Sequence, residues 1–167
     1  GPVELHDIVV ERPLWAEPHG ARALVIAAGD RPHSFVVATG WEGERTVHVS
    51  GRYARARGRT HARLDLEALR ARLTRSASGA QVYARLDRTG FVMGPAMRAV
   101  ERVFVGEREL LAVLRTPSDS SIGAFIDPAL LDGASHAVAA WFLDARLGEA
   151  RMYLGFSIDA LRVHAPV

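Results

Sequence analysis

Cysteine is absent from the 167 residues, which removes disulfides, thiolate metal sites and cysteine nucleophiles from consideration. Lysine is absent too, so all 21 basic side chains are arginine. Set against 19 acidic residues they leave a formal net charge of only +2. The sequence pI near 9.6 therefore reflects the high pKa of arginine rather than a large basic excess. Exclusive arginine with abundant alanine and glycine suggests a GC-rich bacterial genome. No apolar run approaches the length of a bilayer-spanning helix, and the start lacks a signal-peptide pattern. No membrane partner is expected, and the expected compartment is the cytoplasm. The seven histidines show neither a His-x-x-x-His nor a Glu-x-x-His pair, so no metal is expected. Gly1 and Pro2 read as the remnant of a cleaved purification tag and are set aside.

What is present is an ordinary globular balance, 49% hydrophobic and 24% charged, in a chain long enough for a real core. Short β-branched runs closed by Gly, Pro or Asp predict strands at 3–10, 21–27, 34–38 and 45–50. Residues 52–63 read as an arginine-dense linker. Asp65 then caps a short helix from Leu66 to about Leu73, broken by 76–79. Tyr83 to Leu86 leads to a turn at Gly90 to Pro95, followed by strand-like runs at 98–105 and 109–115 and a loop at 117–121. Pro128 opens a helix on which Leu130, Leu131, Ala134, Val138 and Phe142 recur with helical period, stopped by Gly148. Runs at 152–156 and 161–164 read as closing strands. One long apolar helix between strands implies a curved antiparallel sheet wrapped around that helix, an α+β layout.

The chemistry concentrates on that helix. A spacing of four places Asp132 and His136 on one face. Asp132 sits in an apolar stretch, where a carboxylate must be paired, line a cleft, or hold its proton through a raised pKa. A proton-holding carboxylic acid is what protonation of a leaving hydroxyl needs. The alternative is plain: Asp132 faces solvent and His136 hydrogen-bonds in the core. His6, His48 and His164 fall on strands and read as half-exposed sheet residues, while His19, His33 and His61 lie in turns or the linker. The eight arginines from Arg52 to Arg75 invite a nucleic-acid reading, but only Tyr53 could stack, and no binding motif accompanies them. A solvated linker and helix face is the expectation, so nucleic acid is not an expected partner.

Three segments together resemble the second half of dehydratase domains from modular type I polyketide synthases. They are Gly90 to Met97 (GFVMGPAM), the strand end from Ala112 to Pro117, and Ile126 to His136 (IDPALLDGASH). That family has a double hot-dog fold with a Tyr-Gly-Pro-x-Phe-like motif and an Asp-x-x-x-Gln/His motif on the second central helix. Pro13, Leu14, Trp41 and His48 to Gly51 resemble the later strands of its first hot dog. The resemblance implies later strands of the first hot dog over 3–58, a linker and short helix over 59–80, and a complete second hot dog over 81–167.

The implied reaction is loss of water from a β-hydroxyacyl chain on an acyl carrier protein, giving an α,β-enoyl thioester. No cofactor is implied beyond the carrier's phosphopantetheine arm. By the resemblance Asp132 is the general acid and His136 its hydrogen-bonding partner, and Met93, Gly94, Pro95 and Met97 line the acyl tunnel. The departures are pointed. Met93 and Met97 replace the motif's Tyr and Phe, and Asp127 replaces the usual His before Pro-Ala-Leu-Leu. None of the seven histidines fits the family's His-x-x-x-Gly-x-x-x-x-Pro base motif. The chain as given is therefore expected to be inactive in dehydration. The alternatives are a non-catalytic scaffold within a megasynthase and, less in keeping with the retained Asp, an isomerase or cyclase. The expected partners are an acyl carrier protein, for which the arginine segment is a candidate docking face, and other synthase domains. Strands 3–50 without their covering helix would leave an apolar patch, so a homodimer or a complementary segment is also expected.

Overall fold

The computed structural model describes residues 3–15, 21–40, 44–55, 63–117, 126–142 and 155–162, with side chains in the last helix described as far as 138. Two compact units divide them. The first is a five-stranded antiparallel sheet of β1 (Val3–Val10), β2 (Leu24–Ala28), β3 (Ser34–Thr39), β4 (Thr46–Arg55) and β8 (Ser157–Arg162) in the order β2-β3-β4-β1-β8. Residues directly opposite in such a sheet share a face. Ile26 opposes Val37, Val37 opposes Val49, and Val49 opposes Val10, a single apolar row across four strands. Leu5 sits between Tyr53 and Leu161. Phe35 covers Gly51, where a β-carbon would meet the ring at 2.7 Å. Ile26 is 76% exposed.

The polar residues of the first unit are tied down individually. Glu4 is buried; it accepts a hydrogen bond from Arg162 on the neighbouring strand and lies 3.6 Å from His6 Nε2. A register shift between His6 and Val9, with Asp7 at φ +50°, marks a bulge that bends β1.

The second unit runs from α1 to α3. Its sheet is β5 (Arg75–Ser78), β6 (Val100–Val105) and β7 (Leu110–Leu114), antiparallel in the order β5-β6-β7. Asp65 caps α1 (Leu66–Ala71), its carboxylate accepting from Ala68 N. Ser78 and Gln81 form a capping box that starts α2 (Gly79–Arg88), with Val82, Tyr83 and Leu86 facing inward. Helix α3 (Pro128–Phe142) packs against β6, β7, α2 and the 3₁₀ turn Pro95–Met97. The core is Val82, Tyr83, Leu86, Val100, Val103 and Ala137, flanked by Phe91, Met93 and Leu114. Two glycines permit its tight seams. A β-carbon on Gly79 would lie 1.9 Å from Val100 O, and one on Gly133 would lie 2.9 Å from Ala99 Cβ.

The antiparallel α+β layout, the Asp65 cap and the Pro128 helix agree with the sequence reading. Four expectations change. Residues 52–55 are strand rather than linker, because β4 continues its ladder opposite Val3 to His6. Residues 76–78 are strand, and 79–88 form a helix that a glycine at its first position concealed. The closing strand completes the first sheet by pairing with β1, so it does not extend the sheet of the second unit. His48 is buried rather than half-exposed. Trp41, His19, His61, Gly148, Met152 and His164 lie outside the described residues.

Candidate functional site

Asp127 sets the start of α3. Its carboxylate accepts from Ala129 N at 2.7 Å and Leu130 N at 3.4 Å, so it serves as the helix cap. The residue that departs from the family's histidine thus has a structural task. One turn further, Asp132 and His136 share a face as their spacing requires, with His136 Nε2 3.3 Å from Asp132 Oδ2. Their environments differ sharply. The Asp132 side chain is 41% exposed, whereas that of His136 is 3% exposed.

Although 3.3 Å is ion-pair range, neither imidazole nitrogen has a hydrogen bond of good geometry among the described residues. We read the pair as an off-axis contact that orients charge without saturating the ring. Buried ring nitrogens without partners are costly, and sites that hold them are commonly functional. Ser135 Oγ donates to the Asp132 backbone carbonyl at 2.7 Å and lies 3.2 Å from Oδ1.

The neighbouring His136 imidazole, against the opposing effect of partial burial and with help from Ser135, holds Asp132 below the ordinary carboxylate range. Of the three states open to Asp132 in the sequence, the contact with His136 corresponds to pairing. At neutral pH the resting side chain is a carboxylate, paired rather than proton-holding.

Sequence reasoning missed the aromatic surround. Tyr83 meets the His136 ring edge-on at 5.8 Å and Phe91 does so at 5.9 Å. The Tyr83 hydroxyl accepts from Val100 N at 3.0 Å, and burial pushes its pKa up. Arg98 stacks on the Tyr83 ring at 5.2 Å, donates from Nε to the Met93 carbonyl at 2.8 Å, and reaches Asp87 at 3.5 Å. The Gly90 to Met97 segment is thereby fastened to α2. Within it Met93 packs on the core, Met97 is half-buried, and the exposed Gly94 and Pro95 start the 3₁₀ turn lying against α3. The available signal was Tyr83 four residues after the concealed cap at Ser78 and Gly79.

His48, the remaining buried histidine among the described residues, has both nitrogens engaged. Nδ1 lies 3.3 Å from the Arg12 carbonyl and Nε2 2.9 Å from Thr39 Oγ1. A carbonyl only accepts, so Nδ1 donates to Arg12, and Nε2 faces the Thr39 hydroxyl. No cluster of potential metal ligands occurs among the described residues, and no helix there is long and apolar enough to cross a membrane.

Two antiparallel sheets with a long central helix in the second unit define a protein of the hot-dog class. The trans-AT polyketide synthase dehydratase domain from Brevibacillus brevis superposes with a TM-score of 0.85 at 23% identity, over 99% of this chain and 60% of that one. An inactive aspartate-to-asparagine mutant of the CurK dehydratase gives 0.82 at 19% identity, over 99% and 61%. Polyketide synthase PksM of Bacillus subtilis is 24% identical across 98% of this chain, which spans only 4% of that synthase. The family model described as the polyketide synthase dehydratase N-terminal domain matches residues 61–167. The chain belongs to the polyketide synthase dehydratase family.

Proposed function

We infer that the family reaction at this site is elimination of water from a β-hydroxyacyl thioester on an acyl carrier protein. The single observation that carries the reading is the Asp132–His136 contact, one partner half-exposed and the other buried among aromatics. The matched description speaks of an N-terminal domain, whereas the motifs from Gly90 to His136 are read as those of the second hot dog. The motif is residue-specific, and it governs here. An aspartate also matters in the CurK dehydratase, which an asparagine replacement leaves inactive.

Elimination requires an α-proton removed by a base and a hydroxyl protonated as it departs. Asp132 rests as a carboxylate, so it must take up a proton before it can act as the acid. An acyl chain laid along α3 would strip water from it and favour the neutral form. Met93 and Met97 keep the neighbouring wall apolar and pliant, at the loss of the motif's phenol contact. The phosphopantetheine arm of the carrier would present the substrate, other synthase domains would flank the site, and the compartment would be the bacterial cytoplasm.

The base is the missing part. No histidine matches the base motif. The chain on its own is therefore inactive, with its site chemistry confined to the acid half. The purified chain is expected to leave a β-hydroxyacyl thioester surrogate unchanged over hours. Turnover that Asp132→Asn abolishes would overturn this.

A non-catalytic scaffold is the second reading, and the conversion of the motif's histidine into a helix cap at Asp127 favours it. Under it, Asp132→Ala leaves product formation by the intact synthase unchanged.

A further inference from the structure

Among the described residues no hydrogen bond fixes the His136 ring, yet its Nε2 lies 3.3 Å from Asp132 Oδ2. Something other than a hydrogen bond must select that ring orientation, since an imidazole has several accessible rotamers. We propose that Tyr83 is the positioning residue for the Asp132–His136 pair, its ring confining the His136 imidazole while its hydroxyl anchors that ring to the start of β6. The inference rests on the proposed role of the pair and names a residue that acts on it.

Each link is local. The Ser78–Gln81 capping box fixes where α2 begins, and Gly79 lets that first turn press on Val100. Tyr83 lies one turn later, so its hydroxyl reaches the Val100 amide at 3.0 Å. Residue 102 is where β6 pairs with the end of β5, so Val100 lies beyond that ladder and its amide takes the phenol as partner. The ring, 3% exposed, then lies edge-on to His136, with Phe91 as the second aromatic wall. Arg98 stacking on Tyr83 adds a cation–π contact that resists movement of the phenol.

Few other groups bear on the carboxylate. From α3 itself, His136 and Ser135 act on Asp132. From α2 the phenol of Tyr83 senses its charge, and Arg98 follows the 3₁₀ turn and contacts that phenol. At Gly133 the nearest side chains are those of Ala99, just before β6, and Leu114 on β7. The titration of Asp132 is therefore a direct report on where His136 sits.

The test follows the Asp132 carboxyl carbon by NMR across acid pH in the whole 167-residue chain. His136→Ala should raise the midpoint. Tyr83→Leu should raise it by at least half as much and should add nothing in the His136→Ala background. Tyr83→Phe keeps the ring, so it should lower the melting temperature through the orphaned Val100 amide yet leave the midpoint in place. A folded Tyr83→Leu chain with an unmoved midpoint, or the same shift with His136 already removed, overturns the proposal. Should Tyr83→Leu not fold, nuclear Overhauser contacts in the unaltered chain decide. A single set from the Tyr83 ring to His136 supports the assignment, and their absence overturns it. Turnover plays no part in these readouts. A coupled titration together with turnover that Asp132→Asn abolishes would overturn the proposed inactivity and leave the positioning intact.

Discussion

At Asp132, ionisation and stability are linked in a direction that can be stated. A carboxylate whose folded pKa lies below its unfolded value stabilises the fold at neutral pH. That contribution is complete above the ordinary value of 3.8 and is lost as pH falls through the lower folded value. Asp132→Asn is expected to flatten the fall in melting temperature on acidification below about pH 4. An unchanged acid slope would contradict the lowered pKa. The Asp132–His136 contact was legible because helical spacing alone places the two residues together. The ionisation of Asp132 was not, since the apolar sequence around it argued for burial while the folded carboxylate keeps access to water. Tyr83 was invisible for another reason. Its contact with His136 crosses between helices that no local pattern relates.

Helices and strands were legible wherever they carried their own signal. Pro128 and the apolar period announced α3, and Asp65 announced α1. Strand β5 and helix α2 lacked such marks, and the last turns of β4 owe their conformation to the ladder with β1. Capping is the term to test at this scale. Asp127→Ala removes the acceptor for Ala129 and Leu130, and should cost roughly 1 kcal/mol in chemical denaturation, within the usual range of about 0.5–2 kcal/mol. A larger effect comes from the seam between α2 and β6. Gly79→Ala would drive a methyl group into the Val100 carbonyl, and backbone there cannot rotate aside as a side chain can. Overpacking of this kind costs about 1–3 kcal/mol. A stability within error of the unaltered chain would argue against the close approach.

Over the whole molecule, the exposed apolar row on the first sheet is the feature that should show in solution. Burial of apolar surface is worth about 25 cal/mol per Å², so a row with Ile26 and Val10 exposed and Val37 and Val49 half-buried favours a partner that covers it. Self-association at micromolar concentration is expected in sedimentation, and Ile26→Glu should shift it toward monomer. A single monomeric species from the outset would contradict that expectation.

The pairing of β8 with β1 reaches past these contacts into the order in which the chain is made. Glu4 finds Arg162, so β1 waits for a partner 158 residues further along the chain. At about 5–20 residues per second, the roughly one hundred residues separating β4 from β8 keep that edge without this partner for on the order of 5–20 s. The elements from α1 to α3 are made in that interval, and their strands belong to the other sheet. Until β8 arrives, the backbone groups of β1 that it will pair are open to mispairing with another strand.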